Sequence, residues 1–515
     1  MHHILRHAQR GAFIASSLFL LLISAPLRAE DWAKIYPIRE DLPGPYSYEE
    51  ISKKEYQGVT LRVLTHEVPV MGEPTDVHAK QFEELTGAKV EVTHVPFGNL
   101  YQEATFGLKT GKYDVVFFAS FWLADLYPHL APLPEIMIQS PQFQDVLQHY
   151  KDIAKWGDTY YQVPIDGDRH YLQYRRDLFE NPALKEAFQA AHQRELTVPR
   201  TWKAYAETAA FFHGNTASGQ AISGSVEINK EDDLMFSQFI DRAAAYAKHP
   251  NVKGGFYFDL KTMTPLINTP GFVQALADFV EIQQYSPQTK TRLGLADVIR
   301  VFGGGAAAMC HSWDDPFIQA MEPNSALRNQ VAAALSPGST TVWNRDTGAW
   351  DDFPNVNDAP YIAWGWTSGV SRLSKSQEAA FDFLGFFGNE ANHASDLLVG
   401  RYGVNPFRNA DLHKEFWMEF AGWSEETAAS YVETFRAISD HPNRILDLRI
   451  YFGRLYMNAL AVGIQRALTG RSTPQVALDY VAKEWETLTK RVGVEKQREA
   501  YRNIVRFEDH EDVQP

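Results

Sequence analysis

A single cysteine, Cys310, occurs among 515 residues, so neither an intramolecular disulfide nor a cysteine metal cluster can form. Basic residues are also scarce: 49 Lys and Arg face 64 Asp and Glu, a formal net charge of −15. Repulsion from phosphates argues against nucleic acid or an anionic membrane as partner. Beyond the first 30 residues no apolar run is long enough to cross a bilayer, since Val115 to Phe118 and Phe381 to Phe387 are too short. No repeat of 20–50 residues is visible. Catalytic signatures are missing as well: there is no H-E-x-x-H, Walker A or kinase motif. Gly365-Trp366-Thr367-Ser368-Gly369 imitates a nucleophile elbow but has Thr at its centre and no assignable triad.

What is present suits packed cores. Hydrophobic residues make up 45% of the chain and aromatic residues 13%, and the length is about three times the ~150 residues of a typical domain, so at least two folding units are expected. Met1 to Ala29 has Arg6 and Arg10 before an apolar stretch from Ala12 to Ile23. This pattern predicts a signal peptide (1–29) cleaved after Ala29 and, with no cysteine at the cut, a periplasmic protein without a lipid anchor. Residues 30–56, with Pro43-Gly44-Pro45, read as an N-terminal extension.

From Val59 strand and helix patterns alternate as a parallel sheet requires. Val59 to Thr65 is a β-rich run, and Asp76 can cap a helix that stops at Gly87. Lys89 to Val95 alternates as a strand, Asn99 to Leu108 reads as a helix, and Asp114 to Phe118 as a buried strand. A second such region follows, with strands at Tyr171 to Tyr174, Ala221 to Ile228 and Ala306 to His311. Its helices include one capped by Thr201 and one from Asp232 to Ala247. Ser374 and Gln377 have the spacing of a capping box.

The phrases FEELTGAKVEV (Phe82 to Val92), TGKYDVVFFAS (Thr110 to Ser120), VPRTW (Val198 to Trp202), GGGAAAMCHSW (Gly303 to Trp313) and WTSGVSRLSKSQEAAFDFLGFF (Trp366 to Phe387) occur in this order. Together they resemble extracellular solute-binding protein family 1, the carbohydrate receptors of ABC importers to which maltose-binding protein belongs. The resemblance implies an α/β fold of the two-lobed periplasmic binding protein kind (type II), with a ligand cleft between lobes. It implies a monomer that hands a sugar, oligosaccharide or polyol to an inner-membrane permease and its ATPase, with no cofactor. On that basis lobe 1 is expected at 57–165 and 338–373, and lobe 2 at 166–337 and 374–515.

Ligands of open α/β sheets sit beyond the carboxyl ends of strands. The loops there supply the candidate binding residues Glu67, Trp122, Asp125, Asp166, Trp313, Asp314, Trp364, Trp366 and Arg401. Flat rings suit the C–H faces of a sugar, and carboxylates and Arg suit its hydroxyls; core packing is the alternative for each Trp. Two of Asp125, Asp166, Asp168, Asp314 and Asp315 could instead serve a glycoside hydrolase, or the same acids a cationic solute. The histidines read as surface or satisfied core residues. Asn344 to Asp352 has a calcium-loop composition without the 12-residue pattern, so no metal site is expected.

Overall fold

The computed structural model describes residues 42–508 apart from 216–219, 232–233, 290 and 402. The expected signal peptide, the start of the extension, Asp232 and Tyr402 fall outside the described residues. Two sheets organise the chain.

The first sheet contains β1 (Thr60–His66), β2 (Lys89–Val95), β3 (Val115–Ala119), the short β4 (Val163–Pro164) and β11 (Trp366–Val370). Their order is β2-β1-β3-β11-β4. The first three are parallel and β11 runs antiparallel to β3. The second sheet, in the order β8-β5-β7-β6, is made of β5 (Tyr171–Arg175), β6 (Ser223–Val226), β7 (Ala307–Ser312) and β8 (Val331–Ala334). Strand β3, VVFFA, is buried along its whole length because both faces are covered, whereas edge strand β2 alternates.

Helices α1 (Gly72–Thr86) and α2 (Phe97–Thr110) complete the βαβαβ unit. Each stops at a glycine in the left-handed region, Gly87 (φ 73°) or Gly111 (φ 68°), whose N–H bonds back to the last turn. The first helix begins earlier than its Asp76 cap suggested. Gly72 permits this: a Cβ there would stand 2.7 Å from the His66 carbonyl oxygen.

On the second sheet lies α3 (Trp202–Phe212), capped by Thr201 as expected; α4 (Met235–Ala247) and α5 (Pro270–Ile282) pack on each other beside it. Helix α6 (Gln377–Phe387) lacks the expected capping box. Ser374 Oγ donates to Asp114 instead, and the N-cap residue Ser376 makes no side-chain capping bond. Helix α7 (Glu390–Val399) follows, and α8 (Glu425–Ser439) packs on β8. Three consecutive helices, α9 (Gly453–Leu468), α10 (Pro474–Val492) and α11 (Val494–Glu508), end the described chain.

Two segments pack differently from the expected division. Helix α6 sits on the first sheet, with Phe383 5.5 Å from Phe82 and Phe387 5.0 Å from Phe117. The hairpin β9 (Ser339–Asn344) and β10 (Ala349–Asn357) lies against α4, where Asn357 donates to the carbonyls of Ala245 and Lys248. Its tip is an Asx turn: Asn344 Oδ1 accepts from the N–H groups of Asp346 and Thr347. The end of the extension is a strap on the first sheet's helices. Buried Tyr46 lies across Gly385, where a Cβ would meet its ring at 2.2 Å, and Tyr48 donates to Asn392.

Candidate functional site

Among the described residues the chain passes between the sheets through 165–170, 358–365 and the segment from 403 to 413. Asp166 gathers all three. Its Oδ1 accepts from the backbone N–H of Gly167 and of Asn405, both at 2.7 Å, and its Oδ2 from that of Trp366 at 3.1 Å. The backbones approach so closely that only glycine fits at two points. A Cβ on Gly167 would lie 2.2 Å from the Pro406 oxygen, and one on Gly365 would lie 2.3 Å from the Asp166 oxygen. Beside this seam Arg169 is buried, donates to the Gly167 and Pro406 carbonyls, and rests 4.0 Å above the Phe435 ring.

Acidic groups crowd the same place. Asp168 accepts from the Asn405 amide at 2.8 Å, and Asp314 from the Tyr431 hydroxyl at 3.0 Å. Burial lifts Asp166 and Asp314 to about 7 and Asp315 to about 6, with neighbouring carboxylates adding to the first two and the Arg169 guanidinium opposing the rise at Asp314. Asp168 is pushed well above the carboxylate range, first by burial and then by its three acidic neighbours. The other oxygen of Asp314 has no hydrogen-bond partner among the described residues.

A second cluster is aromatic. It gathers where β1 and β3 end and β11 begins, because His66, Trp122 and Trp366 leave adjacent strands. Phe97 at the start of α2 is its centre: it stacks on Trp364 (5.5 Å), tilts against Trp122 (5.5 Å) and meets Trp366 edge-on (5.7 Å). The Trp366 ring also meets His66 at 5.3 Å. Phe121, in contact with Trp122 and Trp364, reaches Phe236 of α4 at 6.3 Å. A cavity of about 10 Å³ remains here, bounded by Phe97, Phe121, Trp122 and Phe236 with Arg454 and Asn458 of α9. The indole N–H groups of Trp122 and Trp364 are buried without a partner among the described residues.

Contacts from the start of α9 reach the segment after β3 and the start of α2. Asp125 accepts from the backbone N–H of Phe452 at 3.0 Å and from Tyr101 at 2.9 Å, and burial raises its pKa. Arg454 donates to the Gly98 carbonyl at 2.9 Å, and the hydroxyls of Tyr127 and Tyr451 are 3.2 Å apart.

The sequence-predicted residues thus fall into four places. Trp122, Trp364 and Trp366 share the aromatic cluster, and Asp125 joins Tyr101 to Phe452 beside it. Asp166, Asp314 and Trp313 belong to the crossing region, with the Trp313 ring edge-on to His170 at 4.3 Å. Glu67 is exposed at the end of β1, and Arg401 pairs with Glu73 at the start of α1. Phe97, Phe236 and Arg454 were not singled out from the sequence; Phe97 directly follows a strand and a proline, the one hint it offered. A larger groove of about 920 Å³ lies elsewhere, among α3, α5 and the β9–β10 hairpin, and includes none of the predicted residues.

Among solved structures, maltose-bound MalE3 of T. maritima superposes with a TM-score of 0.65 at 19% identity, covering 84% of this chain and all of that one. A ribitol complex of an Agrobacterium radiobacter K84 solute-binding protein gives 0.63 at 19%, covering 84% and 100%. A D-mannitol complex from Agrobacterium vitis S4 gives 0.63 at 18%, covering 85% and 99%. These likenesses establish the two-lobed α/β fold. In sequence, a probable amino-acid ABC transporter periplasmic-binding protein (y4oP) of Sinorhizobium fredii is 23% identical over 339 residues, 64% of this chain and 68% of its own length. The profile named "Bacterial extracellular solute-binding protein" matches residues 78–421. The chain belongs to that family.

Proposed function

We propose that this solute-binding protein captures a sugar or polyol between its lobes in the periplasm and delivers it to the permease and ATPase of an ABC importer. The mature protein begins at Glu30 and acts as a monomer. One lobe comprises the first sheet with the strap, α6 and α7; the other comprises the second sheet, the hairpin and α8 to α11. Trp122, Trp364 and Trp366 cover the C–H faces of the solute. Asp314, with Trp313 beside it, accepts from its hydroxyls, while Glu67 and Arg401 stand at the mouth. Asp125 works as a latch on Phe452 and Asp166 as the tie of the crossing segments.

The observation that carries this reading is the aromatic wall, in which the indole N–H groups of Trp122 and Trp364 lack partners among the described residues. A ring face and a free donor side by side match a ligand that alternates C–H and oxygen. The small volume left fits lobes drawn together, and the latch contacts fit a hinge closure in which the solute selects the compact state. Two of the five acids weighed for hydrolysis are occupied in positioning: Asp166 holds three backbone amides and Asp125 a fourth.

Calorimetry against ribitol, mannitol, maltose, neutral amino acids and lysine tests the proposal, with small-angle scattering on the same samples. Binding of a polyol or sugar with a reduced radius of gyration is expected. Binding of lysine or another amino acid alone would replace the polyol reading with that of a cationic or amino-acid solute.

A further inference from the structure

We propose that His170, Asp241 and His311 form a binding site for one transition-metal ion of the zinc class at the root of the crossing segments. This site is separate from the solute cleft and does not depend on what that cleft binds. One candidate ligand atom from each residue lies within 4.8 Å of the others, and all three side chains are buried. The sheet and α4 bring them together: His170 directly precedes β5, His311 stands on the neighbouring strand β7, where Tyr171 pairs with Ser312, and Asp241 comes from the middle of the helix covering them.

Unmet bonding capacity points into the cluster. His170 is 0% exposed, and neither of its ring nitrogens has a hydrogen-bond partner among the described residues; nor has Asp241 Oδ1. Leaving buried polar groups unpaired is costly, and a native core pairs them with protein, water or an ion. Around His170 stand His311 at 5.4 Å, the edge-on rings of Trp313 and Tyr361, and Asp241, whose Oδ2 is 4.0 Å from Nδ1.

The second histidine is oriented for coordination. His311 Nδ1 faces Gln238 Oε1 at 3.3 Å, so with a metal bound it can keep its hydrogen there and present the lone pair of Nε2. That nitrogen lies 2.5 Å from Asp241 Oδ2, while Ser336 donates to the same oxygen at 2.6 Å. Two lone-pair atoms this close require a cation between them, either a proton or a metal. An M²⁺ ion replaces that proton, which is released, and draws His170 Nδ1 in as the third ligand. Bonds of about 2.0–2.2 Å in a tetrahedron place ligand atoms ~3.3 Å apart. The 2.5 Å contact therefore opens and the 4.0 Å one closes through side-chain rotation. Two imidazoles and one carboxylate favour Zn²⁺, Co²⁺ or Ni²⁺ over Mg²⁺ or Ca²⁺, which prefer oxygen.

Because the site is enclosed, the ion must enter as the protein folds. The full chain is unfolded in guanidinium with EDTA and refolded with Zn²⁺, Co²⁺ or EDTA alone. After desalting, metal is counted by plasma mass spectrometry. One zinc ion per folded chain, visible d–d absorption in the cobalt sample and a higher melting temperature with zinc than with EDTA are expected. His170→Gln removes no protein hydrogen bond, so it should fold and melt like the EDTA-refolded wild type while losing the retained ion and the cobalt spectrum. Asp241→Asn serves as a second variant. Folded wild type that retains no stoichiometric metal overturns the proposal, and so does His170→Gln retaining as much as wild type, which would place the ion elsewhere.

Discussion

The two lobes bring different materials to their junction. The first lobe and the crossing beside it offer ring faces, with the indole N–H groups of Trp122 and Trp364 buried and unpartnered among the described residues. The second lobe and its crossing offer carboxylates and imidazoles, and the unpartnered atoms include acceptors such as Asp314 Oδ1 and Asp241 Oδ1. The division has a physical basis. A ring cluster closes by shedding water from both surfaces and tolerates small shifts, whereas a buried carboxylate requires its partners at fixed positions. The adaptable wall is therefore expected to meet solute, and the exacting one to hold the hinge.

The largest test of that contrast is at the seam. Gly167→Ala and Gly365→Ala each drive a methyl into a backbone carbonyl of another crossing segment, at 2.2 and 2.3 Å. Each should cost more than about 3 kcal/mol of unfolding free energy, because backbone cannot rotate away as a side chain can. Urea unfolding followed by circular dichroism measures it. Wild-type midpoints for both would mean that the three crossings are not packed together as described.

Next comes a pair of tryptophans. Trp202, buried under the Arg242 guanidinium at 3.8 Å, is core, and its change to Ala should cost about 3–5 kcal/mol of stability. On the proposed reading Trp364→Ala should act mainly on binding, with affinity for the polyol lowered roughly ten- to a hundredfold. The comparison breaks if Trp364→Ala lowers the melting temperature as far as Trp202→Ala and leaves affinity intact.

A third test uses pH. Asp166 and Asp314 near 7 and Asp315 near 6 have folded values raised above the ordinary carboxylate value. Raised groups hold their proton in the fold, so the stability they contribute is complete below about pH 4 and is lost as pH rises through 6 and 7. Asp114 and Asp411 are lowered by Arg62 and by His393 with Arg408, so their contribution disappears toward acid. Unfolding midpoints should therefore fall between pH 5.5 and 8, and Asp314→Asn should flatten that slope. A rising midpoint over the same interval would contradict the protonated crossing cluster.

The sequence made the first unit legible because its signals are local: apolar alternation, then Gly87 and Gly111 as stops. The chain leaves the first sheet at Pro164 and joins the second at Tyr171, and Pro164 and Gly167 between them are residues poor in regular structure. Which sheet a later segment joins was not legible, since the apolar face of α6 fits either lobe and only Phe82 and Phe117, some 270 to 300 positions earlier, decide it. The aromatic wall was partly visible as tryptophans after strands, but Phe97 and Phe236 carry no motif. Asp166 stood out as an acid in a loop, yet its three partners are backbone N–H groups that no side-chain pattern reports. His170, Asp241 and His311 come from three elements with no shared spacing, so histidines that read as satisfied core residues meet only in the folded chain.

The smallest expected effect is at the Arg401–Glu73 pair, the proposed mouth of the cleft. Arg401 and Glu73 form an ion pair with side chains 43% and 20% exposed, a setting in which two charges gain little over their separate hydration and added salt screens them. Arg401→Ala should change stability by less than about 1 kcal/mol. If the guanidinium also reaches a solute hydroxyl, it does so in competition with water and with Glu73, so affinity should fall only about two- to threefold, and less in high salt. Calorimetry at two salt concentrations reads both features. A fall as large as that of Trp364→Ala, unaffected by salt, would mean that Arg401 turns from Glu73 into the closed cleft and binds solute there as a desolvated charge, and the division into an aromatic first lobe and a charged second one would then fail at its rim.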